Sequence, residues 1–513
     1  MALQWMQALG NTAALGATRI LKNAWTAGQS AQSLDFLFES LSALTYEPCR
    51  SGRNLSMSTR IGTLSRAIAI DALNHVITRR QHADAVLERL FKHHGDELRA
   101  LDRAFIFEIV YGSLRWLSKM DWIMSHMVDR PFTSLDPRVA CALRVGAYQI
   151  FYMDRVPDRA AVSETVEAIK KVGAGNASSF VNAILRRVAR KAEYYPKPDR
   201  ETQLAEYFAV QFAHPQWMIE RWLRHITPDR LEHFLAGSNK APPIVLRRLS
   251  SKPLPEGEDL ATYLLRTHGI ESEWLPFKSA LKVQRLPDFA NCPAFAAGHY
   301  IVQDAAAQLA VQLVKPALGC KVLDACAAPG GKSIALWDMG VAAQDLTVAD
   351  TNQKRAGVLS ENFKRVGLEP AEILLGDVLE KVDGRTFDSV VLDAPCTAMG
   401  VIRRHPEIKW HRVPSDIEHC ASEQRRLLDG LASAVRPGGE LTYIVCSAEL
   451  EETTLQMRGF LERHPNFEIV PLEHRVHDYY KRYITRDNEL LILPGNSDDL
   501  DGFYAVVFRK RAG

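Results

Sequence analysis

The run "VVLDAPCTAMGVIRRHPEIKW", residues 390–410, ends an apolar, strand-like stretch with an aspartate, a proline and a cysteine: Asp393, Pro395 and Cys396. A second cysteine, Cys446, follows another apolar run in "YIVCSAELEE". A thiol in such a place can be a nucleophile, a metal ligand or a packing residue, and free cysteine is among the most buried residue types. The cysteines, at 49, 141, 292, 320, 326, 396, 420 and 446, include no Cys-x-x-Cys pair and no close Cys/His ligand spacing. No zinc site, no other metal and no disulfide framework is expected, and a reducing compartment fits.

Upstream, "DACAAPGGKS" carries a second chemical signal. Gly331-Lys332-Ser333 matches the end of a phosphate-binding G-x-x-x-x-G-K-[ST] loop, but its first glycine would fall on Cys326 and Pro329 interrupts it. The other reading is a glycine turn that brings backbone close to an adenosyl ligand. Asp350, twenty residues after Gly330, stands where a carboxylate grips ribose hydroxyls, and Asp377 can receive the adenine amine. Joined to the loop, the two acids describe an S-adenosylmethionine pocket, whose sulfonium suits an acidic wall. A cysteine beside a methyl donor suits methylation at a ring carbon. A thiolate added to C6 of cytosine makes C5 nucleophilic, with a carboxylate assisting at N3. Cys446 also stands where a strand gives way to an expected helix with Glu449, Glu451 and Glu452 in its first turns; the helix end favours thiolate and the acids oppose it.

These residues need a scaffold that brings strand ends together. From about 311, "CKVLDACA", "DLTVAD", "AEILLGD", "DSVVLDAP" and "ELTYIVCS" alternate with helix-length segments, which predicts a parallel sheet covered on both faces. "FEIVPL", "ELLILP" and "GFYAVVFR" are expected to close it with an antiparallel hairpin. Each distinctive residue ends a strand, where doubly wound sheets bind ligands.

Residues 59–200 read as a helical bundle, ended by "YYPKPDR". In "SSFVNAILRRVARKAEYY", Phe180, Ile184, Leu185 and Val188 share one face while Arg186, Arg187 and Arg190 lie off it as a basic stripe. A small α+β unit over 201–310 links bundle and sheet. The net charge of +2 hides an asymmetry, since residues 60–200 hold 23 Lys/Arg against 16 Asp/Glu. A basic module on a mildly acidic one points to a polyanion on the first. The 47% hydrophobic and 24% charged content is globular, and no run of eighteen apolar residues suggests a membrane span. Residues 1–58 read as an extension rather than a transit peptide, with Met57 a possible working start.

Taken in order, "VQDAAAQLA", "VLDACAAPGGKS", "DAPCTAMGVIRRHPEIKW" and "YIVCS" resemble the signatures of the Sun/Fmu family of bacterial ribosomal-RNA cytosine-5 methyltransferases. "DRAFIFEIVYGSLRW" and "FVNAILRR" are similar to that family's NusB-like RNA-binding module. The resemblance covers most of the chain after residue 57. It implies a multidomain protein: an all-α NusB-like bundle, a small α+β linking domain and a C-terminal α/β, Rossmann-like class I S-adenosylmethionine-dependent methyltransferase over 311–513. Cys326, Ala327, Ala328, Pro329, Gly330, Gly331 and Lys332, with Asp350 and Asp377, would hold the cofactor. Asp393 would lie between cofactor and cytosine, Cys446 would be the nucleophile, and Cys396 would assist product release. Arg186, Arg187 and Arg190 would contact RNA phosphates, and a cytoplasmic monomer acting on 16S rRNA is expected. The chain departs from the family at Val445, where threonine usually precedes the nucleophile, and in "SAELEE", which lacks a common proline. The competing expectation is a non-catalytic RNA-binding assembly factor that keeps the fold.

Overall fold

The computed structural model describes residues 55–512 apart from 192–194, 287–288 and 290–291. The expected extension over 1–58 lies outside the described residues, except for the start of the first helix. Apolar residues three and four apart build helices α1 (Leu55–Arg79), α2 (Ala83–His94), α3 (Ala100–Arg115), α4 (Leu117–Ser125), α5 (Pro137–Tyr152), α6 (Asp158–Lys171) and α7 (Ser178–Lys191). Ile70 and Leu73 of α1, Ile109 of α3, Val145 of α5 and Leu185 of α7 are fully buried in one core, each contributing roughly 1.5–3 kcal/mol. An added Cβ at Gly112 would overlap the Tyr148 ring, so glycine is required for α3 and α5 to cross this closely.

Helices α8 (Leu204–Gln211), α9 (Gln216–Trp222) and α10 (Pro228–Ser238) lead to a four-stranded antiparallel sheet. Its strands β1 (Ile244–Arg248), β2 (Ser272–Trp274), β3 (Ala280–Val283) and β4 (Tyr300–Val302) stand in the order β2-β3-β1-β4. "PPIVLRRL" and "HYIVQD" supply β1 and β4 as expected.

The large sheet contains β5 (Val322–Asp324), β6 (Leu346–Asp350), β7 (Glu372–Leu375), β8 (Phe387–Asp393), β9 (Val435–Val445), β10 (Phe467–Ile469), β11 (Leu490–Ile492) and β12 (Phe503–Lys510). Its order is β10-β12-β9-β8-β5-β6-β7, with β11 also on β12. Strands β5 to β9 pair in parallel; the apolar runs of β5, β6, β8 and β9 are buried on both faces, while β7, at the sheet edge, leaves Ile373 and Leu375 exposed. The closing element is more than a hairpin: β12 runs antiparallel between β9 and β10. The chain leaves β5 for β6 on one side and later returns to β8 on the other, so a crevice opens at their carboxyl ends.

The stretch "RRHPEIKW" holds the helical part to the sheet. Arg403 and Arg404 donate to the buried Asp501 carboxylate, and Arg404 also to Asp304 at 2.6 Å. Glu407 accepts the Ala83 amide, and the Trp410 indole donates to the Leu114 carbonyl at 2.7 Å. Lys409 is 1% exposed. Its Nζ donates to the carbonyls of Arg115 and Ala213 and to Asn239 Oδ1, at 2.6, 2.7 and 3.1 Å. These acceptors lie at or just beyond the carboxyl ends of α3, α8 and α10, where unpaired carbonyls concentrate and favour a cation. Burial, with the Arg115 guanidinium nearby, pushes the Lys409 pKa well down.

Lys409→Met would leave three buried acceptors without a donor. Each orphaned acceptor costs on the order of 1 kcal/mol, so a loss of roughly 2–4 kcal/mol is expected. Urea unfolding checks it, and an unshifted midpoint would show that the lysine does not fasten the helices.

Candidate active site

Asp324 ends β5 fully buried, and its Oδ2 accepts the Ser333 hydroxyl at 2.6 Å. Burial pushes this carboxyl up to about 6. The chain turns through Cys326 to Gly330 into α11, which begins at Gly331 (Gly331–Asp338), with the Gly330 amide on the Ala327 carbonyl at 2.7 Å. Gly330 has φ +102°, and a Cβ there would stand 2.8 Å from the Phe363 ring, so glycine is required twice over. Lys332 points from α11 to Asp393, the last residue of β8, and donates to Oδ2. Burial would lower the Lys332 pKa, but Asp393 and, more weakly, Cys446 hold it above the usual lysine value.

Asp350 ends β6 buried at 4% exposure, accepting from the amides of Ala328 and Asn352 at 3.2 and 2.9 Å and from Arg355. Asp377 follows β7, accepts the Leu379 amide at 3.0 Å and pairs with Arg426 at 2.8 Å. Arg355 and Arg426 are 58% and 44% exposed, so water weakens both pairs and a ligand can compete for either carboxylate.

The two cysteine sulfurs lie 3.3 Å apart. Cys396 follows β8 and Cys446 follows β9; both thiols are half-buried. The Gly400 amide donates to the Cys446 carbonyl at 3.0 Å and the Gly502 amide to the Gly400 carbonyl at 2.9 Å. A Cβ on Gly400 would run into the Gly502 carbonyl, so a side chain there would force these loops apart. The hydrogen bond with Cys446, burial and the Glu452 charge together push the Cys396 thiol well up. Cys326 packs against the sheet core, and burial raises its thiol strongly.

The structure thus gathers the loop 326–332, Asp350, Asp377, Asp393, Cys396 and Cys446 at one end of the sheet. Arg186, Arg187 and Arg190 stay on the exposed face of α7, where Arg187 Nη1 also donates to the Met127 carbonyl at 2.6 Å. One expectation is corrected. No helix begins at Cys446: residues 447–449 are irregular, a 3-10 turn spans Leu450–Glu452, and the helix starts only at Thr454. Ser447 Oγ and the buried Glu452 occupy each other, so the chain folds in on its own acid before it can turn helical. Sequence reasoning passed over Asp324, whose only signal was its place at a strand end, and took Glu452 together with Glu449 and Glu451 as acids in the first turns of a helix. Val445 is fully buried in the sheet core, an apolar setting for an apolar residue.

Residues 311–509 match the family model of 16S rRNA methyltransferase RsmB/F, and residues 63–190 match the NusB family. A ribosomal RNA small subunit methyltransferase B from Salmonella arizonae is 33% identical over 420 residues, covering 78% of this chain and 90% of that protein. The chain belongs to the RsmB/F family. A Vibrio vulnificus relative of the same name is 32% identical and aligns over 87% of this chain and 99% of its own length. The crystal structure of PH0851 superposes with TM-score 0.73 at 26% identity, covering 90% of this chain and 100% of that one. Like its family, this RsmB/F protein is an S-adenosylmethionine-dependent methyltransferase. Its residues suit that cofactor: four carboxylates rim the crevice, Asp324 Oδ1 is buried with no partner among the described residues, and Gly330 leaves the loop backbone bare. Among the described residues no cluster could hold a metal and no helix is long and apolar enough to cross a membrane.

Asp324 yields a pH test. Its folded value, about 6, lies above the ordinary value near 4. The raised value favours the protonated form in the fold, so the stability it contributes is present below about pH 4 and lost as pH rises through 6. Asp324→Asn is expected to gain stability relative to wild type between pH 4 and 7, by on the order of 2 kcal/mol. Denaturant unfolding at the two pH values checks it; a constant difference would count against the raised carboxyl.

Proposed function

We propose that this methyltransferase acts on C5 of cytosine in RNA, 16S rRNA above all, in the cytoplasm, through a transient bond between Cys446 and C6 of the base. The observation that carries the reading is the pair of thiols 3.3 Å apart at the ends of neighbouring strands, beside the Lys332–Asp393 pair. Two thiols in contact suit covalent addition followed by elimination. The name carried by the relatives, small subunit rRNA methyltransferase, supports the substrate.

The loop 326–332 with Asp350 and Asp377 would hold S-adenosylmethionine. When bound, that cofactor supplies an electrophilic methyl group on a sulfonium. Cys446 Sγ bonds to C6, and the displaced ring electrons make C5 nucleophilic. Asp393, steadied by Lys332, hydrogen-bonds the base edge near N3. After methylation the C5 proton leaves to a base, the C5–C6 double bond re-forms, and the C–S bond breaks with its electrons returning to Cys446. Cys396 assists that release. In this reading residues 59–200 are the RNA-docking domain, 201–310 the link and 311–513 the catalytic domain.

Cys446→Ala is expected to abolish methyl transfer, while Cys396→Ala accumulates a denaturant-resistant protein–RNA species. If Cys446→Ala forms that adduct and Cys396→Ala does not, the roles are reversed. An unaltered base after proven binding of RNA and cofactor by the wild type would favour an assembly factor instead.

The outward stripe Arg186, Arg187 and Arg190 would neutralise phosphates. Replacing all three by alanine should weaken RNA binding and lower the slope of log affinity against log salt by about 2, with cofactor affinity unchanged. An unaltered slope in titration would remove the stripe from the docking surface.

A further inference from the structure

The buried Glu452 is the point where both cysteine loops meet. It is 0% exposed. Its Oε1 accepts the Thr397 amide at 2.8 Å and Gln424 Nε2 at 2.9 Å. Its Oε2 accepts the hydroxyls of Thr397 and Ser447. Thr397 directly follows Cys396, and Ser447 directly follows Cys446. One carboxylate therefore holds the neighbour of each thiol, and the two hydroxyls themselves stand 3.3 Å apart. Gln424 also donates to the Pro395 carbonyl at 2.9 Å, and Arg412 Nε grips the Thr397 carbonyl at 2.9 Å from the other side. Burial pushes the Glu452 carboxyl above its usual value, and the four donors on it pull the other way by favouring the ionised form.

The charges around the two sulfurs are unequal. Glu452 lies close enough to Cys396 to raise its thiol, and Tyr443 stands near both. Lys332, paired with Asp393, lies on the side of Cys446. Arg412 reaches the Cys396 loop only through backbone oxygens. An anion beside the Cys396 thiol makes its proton harder to remove, whereas the charges nearest Cys446, Lys332 and Asp393, offset one another.

We propose that Glu452 is a positioning residue that locks the Cys396 and Cys446 loops together and steers ionisation to Cys446, leaving the proton on Cys396. The proton lost by Cys446 passes to solvent, and the S–H of Cys396 donates across the 3.3 Å gap to the thiolate. When the methylated base departs, that same S–H is in place to receive the returning negative charge. This inference rests on the cytosine-5 reading for its role in turnover, but the ionisation itself needs no RNA.

The full-length protein without RNA is treated with limiting iodoacetamide at pH 8, which forms a C–S bond at a thiolate and releases iodide. Peptide mass spectrometry then gives the relative rates at the two cysteines. Wild type is expected to react at Cys446 at least tenfold faster than at Cys396, and Glu452→Gln to reduce that preference at least threefold. With RNA and donor, Glu452→Gln should lower kcat at least tenfold while KM for each stays within about twofold. If the variant folds poorly, Thr397→Val and Ser447→Ala each delete one donor, and each is expected to lower kcat about threefold or more at unchanged KM. Faster alkylation at Cys396 in wild type, an unchanged preference in Glu452→Gln, or wild-type kcat in both single-hydroxyl variants would overturn the proposal. Failure of the cytosine-5 reading shows separately, as full methylation by Cys446→Ala, while the alkylation preference stands on its own.

Discussion

Parallel pairing of β8 with β9 is the constraint on which the catalytic centre depends. Asp393 stands opposite Ile444, and the Ala394 amide continues the ladder to the Ile444 carbonyl at 2.9 Å. Cys446 then lies two residues beyond the register point on one strand and Cys396 three beyond it on the other. A slip of one residue would turn every side chain of β9 to the opposite face. Fifty residues of intervening chain are closed into a loop so that two sulfurs can touch, and the apolar sides of both strands, buried in separate cores, keep the register from drifting.

The large sheet was legible because its strands are short apolar runs bounded by chemistry-bearing residues, and those boundaries fell where expected. The roles of the thiols were not. Spacing along the chain says nothing about which of two contacting sulfurs faces an anion. The three acids in "SAELEE" look alike as letters, yet Glu449 reaches Arg221 and the buried Trp222 indole, Glu451 pairs with Arg221, and Glu452 turns inward to the cysteine loops. Three-dimensional burial separates them; α-helical periodicity could not, because the segment is irregular and then a 3-10 turn. The anchoring work of "RRHPEIKW" was equally hidden. In the sequence those residues served only as part of a family signature, with nothing to show that Arg403 and Lys409 are among the large side chains that are fully buried.

The carboxylates around the crevice are not bare. Arg355, Arg426 and Lys332 each attend one of them, so the acidic rim carries little net charge before any ligand arrives. Two of these partners are well exposed and hold their carboxylates weakly, whereas Lys332 has side-chain exposure of 13%. The rim is thus divided into replaceable pairings at Asp350 and Asp377 and a durable one at Asp393.

The threefold grip of Lys409 has a consequence for how such a protein can be divided. Its acceptors belong to α3, α8 and α10, so they are drawn from both the bundle and the segment that follows it. A catalytic half expressed by itself would present a stranded ammonium and a bare Trp410 indole to water, and a chimaera carrying a foreign bundle would need a matching carbonyl at the end of the helix that replaces α3. Swapping modules between members of this architecture is therefore a problem of transplanting a socket along with its plug.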